Sequence, residues 1–250
     1  MFLFRRKKVT IDCFINNELI YNLCKIDHAN KFIPQEWKQL PAFVDIKSNN
    51  DPRSDMKLPV ATAKRCISLT NLFNTGFILP SWTDFDIEVL DDGTVHRQSP
   101  MNDLNAEPHP RFLIWDNLYK NYSHTKIYSP WLIREKSGIK FSWNQCDWHN
   151  TNRIADCHIL SGLIDFKAQH GSHINMFVKK GTQVHFEAGE PMVHIIPLTE
   201  KELDLKCHLI DNNEYTKIYS AYTYRLKYNG NHRLLLNNEK KSKCPFGFSK

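Results

Sequence analysis

Apolar and polar residues alternate along much of this chain with a period of two, the spacing of strands that bury one face. The clearest case is TDFDIEVLDDGTVHRQS, in which Phe85, Ile87 and Val89 alternate with Asp84, Asp86 and Glu88. Asp92-Gly93 follows as a two-residue turn, so this segment predicts a β-hairpin. Residues 9–15 alternate in the same way, and Asn16-Asn17 offers a turn after them. Residues 76–80 look extended, and RFLIWDNL, TKIYSPWLIREK and GIKFSWNQ read as strands, the last two joined at Ser137-Gly138. A polar excursion from Asn144 to Asp156 precedes further strands at 159–166, 174–178, 182–186 and 192–198.

Helical spacing is confined to short stretches. Trp37 and Leu40 fall on a helical turn bounded by Pro34 and Pro41. In TEKELDLKCHLI, Thr199 stands three residues before Glu202, a capping-box pattern that predicts a short helix. The tyrosine-rich tail NEYTKIYSAYTYRLKYNGNHRLLLNNEKKSK reads equally as a terminal helix lying across the domain or as a mobile arm. KSNNDPRSDMKLP carries two prolines among polar residues and reads as a surface loop. Strands separated by turns about every 8–12 residues make the chain mainly β: an antiparallel β-sandwich or β-clip-like core with short helices.

At 250 residues an all-β chain can remain one domain. Residues 1–250 are therefore read as one unit. Within it, 199–238 form a C-terminal extension on the β core, and 1–8 and 239–250 are basic, mobile termini. Hydrophobic residues make up 41% and charged residues 24%, which argues for a packed core over disorder. Aromatic residues reach 12% while there are only 9 glycines, so a Gly-rich nucleotide-binding fold is disfavoured. The net charge of +6 is concentrated toward the ends, which reads first as solvated termini and only second as a nucleic-acid arm. Seven dispersed cysteines do not form a disulfide framework, and no apolar run approaches the roughly 20 residues that span a bilayer. MFLFRRKK lacks the apolar region of a signal peptide. A reducing, cytosolic setting without membrane insertion is expected.

Twelve histidines raise the question of a metal. Cys146, His149, Cys157 and His158 have the ligand types zinc prefers, although adjacent Cys157 and His158 point to opposite faces if they lie on a strand. His170 and His173 flank a turn at Gly171, and His185 and His194 lie on neighbouring predicted strands where they could pair across a sheet. Together with Asp165 these four histidines form the candidate ligand pocket; iron is the other metal considered, although no carboxylate stands at the spacing of a two-His-one-carboxylate site. The chain has no G-x-S-x-G elbow, no phosphate loop and no dinucleotide fingerprint, so no cofactor is called for and an enzyme is disfavoured. Trp82, Trp115, Trp131, Trp143 and Trp148, with Tyr119, Tyr122 and Tyr128, could hold bases or sugars on a concave face; alternating along strands, they read first as core.

The segments GLID and GEPMVHIIP resemble the strand pattern of trimeric dUTPases, through Gly162, Ile164 and Asp165 and then Gly189, Val193, Ile195 and Ile196. That enzyme's Asp acts with a nearby Tyr, whereas Asp165 is followed by Phe166, Lys167, Ala168 and Gln169. The Gly-Arg-Ser phosphate motif is also absent. The resemblance therefore implies shared strand architecture and not dUTP hydrolysis.

A second resemblance covers most of the chain. FIPQEWKQLP, GFILPSWTDFDIE, SPWLIREKSGIKFSW, LSGLIDF and FVKKGTQVHFEAGEPMVHIIPLTEKE are similar, in this order, to uncharacterised proteins of tailed marine phages, especially cyanophages, with bacterial relatives. It implies a phage protein of the host cytoplasm or the virion. The expectation is a non-catalytic module for virion assembly, decoration or host interaction, working as a homo-oligomer or with other phage or host proteins. The alternative is a metal- or nucleotide-dependent small-ligand enzyme or sensor on a dUTPase-like or cupin-like β scaffold.

Overall fold

The structure, a computed structural model, describes residues 8–47, 57–100, 104, 106–108, 120–149 and 153–228. In the first half the strands are β1 (Lys8–Ile15), β2 (Asp27–His28), β3 (Phe43–Lys47), β4 (Lys57–Ala61), β5 (Phe77–Pro80), β6 (Phe85–Val89), β7 (Val95–Gln98) and β8 (Ala106–Pro108). In the second half they are β9 (Tyr122–Glu135), β10 (Lys140–Gln145), β11 (Cys157–Ile159), β12 (Gly162–Asp165), β13 (Gly171–Lys179), β14 (Thr182–Phe186), β15 (Pro191–Pro197) and β16 (Glu202–Leu209). The α-helices are α1 (Glu18–Leu23), α2 (Gln35–Gln39), α3 (Ile67–Asn74) and α4 (Asn212–Tyr228). Among the described residues no helix is long and apolar enough to cross a membrane.

Two sheets carry the fold. The first runs β11-β13-β9-β1-β16, with β8 also paired to β9, and the second runs β12-β10-β15-β5-β2. A smaller sheet, β14-β6-β7, adds to them. The inward residues of all three meet in one hydrophobic cluster: Ile11, Trp131 and Ile174 from the first, Phe77, Phe141 and Val193 from the second, Phe85 and Phe186 from the third. Each such side chain, once fully buried, contributes on the order of 1.5–3 kcal/mol. The chain is thus mainly β with a sandwich-like core, and Trp82, Trp131 and Trp143 belong to that core. Trp115 and Tyr119, with the predicted strand RFLIWDNL, lie outside the described residues.

The hairpin at β6 and β7 forms with the expected alternation: Phe85, Ile87 and Val89 are buried and Glu88 is exposed. Its turn is longer than expected. Val89 pairs with Val95 and Leu90 N–H donates to Thr94 O, which leaves a three-residue loop, Asp91-Asp92-Gly93. Gly93 has φ +92°, the left-handed conformation that closes such loops.

Strands β9 and β10 are joined at Ser137-Gly138 but belong to different sheets, so the connection carries the chain from one layer to the other. The carboxylate of Glu135, only 2% exposed, organises that corner. It accepts the N–H groups of Ser137 (2.5 Å), Gly138 (2.7 Å) and Ile139 (3.1 Å), and the Ser137 hydroxyl.

Three local readings are corrected. Residues 202–209 form β16 and not a helix: in ELDLKCHL the period of two places Leu203, Leu205 and Cys207 against the core. Thr199 accepts only a local turn bond from Lys201 N–H. Residues 57–59, read as surface loop, lie in β4, which pairs with β3. Lys8, placed in a mobile terminus, begins β1 and bridges Glu202 at 3.1 Å. The remaining terminal residues, 1–7 and 239–250, lie outside the described residues. β1 and β16 are parallel, whereas the other described strand pairs are antiparallel.

Of the tyrosine-rich tail, Asn212–Tyr228 form the helix α4, and residues 229–243 lie outside the described residues. Tyr215 fastens it by donating its hydroxyl to Pro130 O at 2.8 Å. On the outer side of β5, Ile78 packs with Ala29, Cys146, Phe32 and Trp148 in a second cluster. Phe73 of α3 meets Trp37 and Trp148 edge-on there, with ring centroids 5.1 and 5.2 Å away.

Candidate functional site

A cleft of about 620 Å³ opens between the 31–35 segment, the loop carrying His149 and Arg153, and the turn joining β14 to β15. Arg153 sits at its base. One arm of the guanidinium pairs with the Glu190 carboxylate, the other donates to His185 O, and the charge lies 3.9 Å from the Phe186 ring centroid. Desolvation pulls the Arg153 pKa below the ordinary arginine value. Burial, helped by the Arg153 charge, also lowers His149, which is therefore a neutral imidazole at pH 7.

On the wall, His185 Nδ1 lies 3.1 Å from Asp86 Oδ1, because His185 and Asp86 are register partners on β14 and β6. Asp84, at the end of the same acidic row, accepts Ala188 N–H at 2.7 Å and pins the β14–β15 turn. The row is therefore only partly a solvent face. Arg153 and Glu190 neutralise each other, and His149 and His185 supply exchangeable hydrogen-bonding groups. Such a cleft is equipped to recognise a polar ligand.

Behind Arg153, Cys146 and Cys157 line one small cavity with Gln145, Phe186 and Met192. Burial raises the Cys157 thiol to about 12 and pushes Cys146 well above its ordinary value. Both thiols therefore stay protonated in the metal-free chain. His149 faces the outer cleft, and His158 lies against the Tyr122 ring, centroids 5.4 Å apart. The four expected zinc ligands thus divide among three surroundings. Among the described residues no three His, Cys, Asp or Glu side chains gather as a metal site.

The ligand candidates are also dispersed. His194 is buried on β15, its Nε2 2.7 Å from Thr75 O and its ring edge-on to Trp148. It belongs to a different sheet from His185, so the expected cross-strand pair is replaced by His185–Asp86. Asp165 ends β12 and caps its own turn by accepting Lys167 N–H at 3.0 Å. The backbone O of His170 accepts Ile133 N–H at 2.8 Å. His173 lies against Tyr128 on the outer face of the first sheet, ring centroids 4.7 Å apart.

A third feature stands outside the sandwich. β3 and β4 form a two-stranded ribbon hydrogen-bonded to no other sheet. Val44 and Val60 are directly opposed, 38% and 44% exposed, and Phe43 on the other face is 50% exposed. Thr62 N–H donates to Ala42 O at 3.1 Å, and the Arg65 guanidinium lies 5.4 Å from the Phe43 ring, fixing the base of the ribbon.

Sequence reasoning missed Arg153, Glu190 and this ribbon. The alternating apolar positions at 43–46 and 58–60 were the available signal for the ribbon, masked by the polar residues between them. Comparison with protein families, curated proteins and solved structures returns no match.

Proposed function

We propose that this chain is a non-catalytic interaction module of a phage, serving virion assembly, decoration or host contact, and that the β3–β4 ribbon is its contact arm. The observation that carries the reading is the exposure of Phe43, Val44 and Val60 on a ribbon that, among the described residues, is hydrogen-bonded into neither main sheet. A two-stranded ribbon is marginal by itself in water and gains stability when a partner covers its apolar face. A second copy of the chain is the simplest such partner, and symmetric pairing would also cover the ribbon's open edges.

Light scattering on the purified chain tests this. The wild type is expected at a multiple of the 29.4 kDa chain mass, and Val44→Lys/Val60→Lys at the single-chain mass with an unchanged circular dichroism spectrum. A wild type that stays at single-chain mass over a wide concentration range, and is absent from purified virions, overturns the proposal.

The Arg153 cleft supports the small-ligand sensor as a second reading. That reading expects a saturable thermal shift with one class of polar ligand, abolished by Glu190→Gln.

A further inference from the structure

A separate cavity of about 330 Å³ lies where α4 crosses the outer face of the first sheet. Its walls are rings: Tyr128 from β9, His173 from β13, and Tyr215 and Tyr219 from α4. They are arranged in two pairs. Tyr128 and His173 are register partners meeting edge-to-face, and Tyr215 and Tyr219 are parallel within 7° with centroids 6.5 Å apart. Ser172 lines the floor at the register shift between Gly171 and His173. Its hydroxyl is buried and has no hydrogen-bond partner among the described residues.

The electrostatics of the walls narrow the ligand. Burial, with the nearby Lys126 charge, holds His173 down at about 4, so the imidazole is neutral at pH 7. Burial pushes the phenols of Tyr128 and Tyr215 to about 12, so both keep their protons. Among the described residues, charges stand at the rim and not on the cavity's walls. Glu107 accepts the Tyr128 hydroxyl at 2.8 Å, and Lys126 Nζ lies 5.1 Å from the Tyr128 ring centroid. A charged ligand would lose its hydration here without gaining a counter-ion inside. A flat, uncharged ring would stack on the aromatic walls and offer its polar edge to the Ser172 hydroxyl.

We propose that this cavity binds a small uncharged molecule built on a planar nitrogen-containing aromatic ring, of the nucleobase or nucleoside kind. Stacking on a single aromatic wall is worth about 1–3 kcal/mol, a five- to hundredfold change in affinity.

Calorimetric titration with adenosine and uridine tests the proposal, with N-acetylglucosamine as the non-aromatic probe. At least one nucleoside is expected to bind saturably at one site per chain, and the sugar is not. Tyr219→Ala, at a position 45% exposed, is expected to keep the wild-type circular dichroism spectrum and to weaken that binding at least tenfold. Tyr219→Phe, which keeps the ring, is expected to leave it within about twofold. Absence of saturable binding by either nucleoside, binding of the sugar instead, or equal binding by the wild type and Tyr219→Ala would each overturn the proposal. These variants leave the β3–β4 ribbon intact, so their outcome is independent of the oligomer test.

Discussion

Replacing Glu135 by alanine removes the acceptor for three backbone N–H groups at the corner between β9 and β10. Ser137 and Gly138 are exposed, so water can take over most of what they lose. Ile139 is partly buried against the core, and its N–H is left under-satisfied. Bonds to a charged acceptor are worth about 1.5–3 kcal/mol each, and an orphaned donor costs about 1–3 kcal/mol. With two donors rehydrated, the loss works out at about 3 kcal/mol. For a domain of this size that lowers the midpoint of thermal unfolding by roughly 6–12 °C. Glu135→Gln keeps one acceptor oxygen but turns an amide NH2 toward an N–H, and should fall between wild type and alanine. Urea denaturation of both variants by circular dichroism measures the effect, with exposed Lys136→Ala as a control expected within about 0.5 kcal/mol. A loss under about 1 kcal/mol for Glu135→Ala would refute the view that this carboxylate organises the crossing between layers.

Gly76→Ala should prevent soluble expression or cost more than about 3 kcal/mol, since φ there is +79° and an added Cβ would sit 2.2 Å from Ile195 O; a soluble variant of native stability contradicts this. Arg153→Ala should cost about 2–4 kcal/mol by stranding the Glu190 carboxylate, and Arg153→Ala/Glu190→Gln should recover part of it in denaturant titrations. For pH the sign follows from His173, whose folded pKa of about 4 lies below the ordinary value of 6.5. The unfolded chain takes up a proton first, so this contribution is full above about pH 6.5 and is lost as the pH falls toward 4. His149 and His194 act in the same direction, and His173→Gln should flatten the decline seen in urea midpoints across that window. Among cysteines, Cys207 is partly exposed and its thiol is lowered by the hydrogen bond with Cys13, so mass spectrometry should show it alkylated before buried Cys146 and Cys157.

How far the sequence could be read depended on whether a residue's role was local. The β6–β7 hairpin was legible because alternation and turn chemistry lie within one short segment. β16 was misread because Thr199 and Glu202 match a capping box, while the stronger constraint, pairing with β1, acts from the other end of the chain. His185 could be placed on a strand, but its partner Asp86 is 99 residues away and no spacing rule links them. The same holds for the Tyr128–His173 and Tyr215–Tyr219 walls, which only tertiary packing brings together. Cys146, His149, Cys157 and His158 looked like a set because they are close in sequence. The fold keeps only Cys146 and Cys157 together, since His158 faces the opposite side of β11 from Cys157 and His149 lies in the outer cleft.

The parallel pairing of β1 with β16 sets an order of events during synthesis. Lys8 and Glu202 are 194 positions apart, yet they are neighbours in one sheet. As the ribosome releases the chain, the inner edge of β1 can be met by β9, but its other edge has no strand to receive until residue 202 and beyond have emerged. Loop closure over so long a span is slow. A nascent chain would therefore carry an open strand edge of unpaired backbone N–H and C=O groups for most of its translation, a period in which it is exposed to chaperones and to pairing with its neighbours on the same messenger.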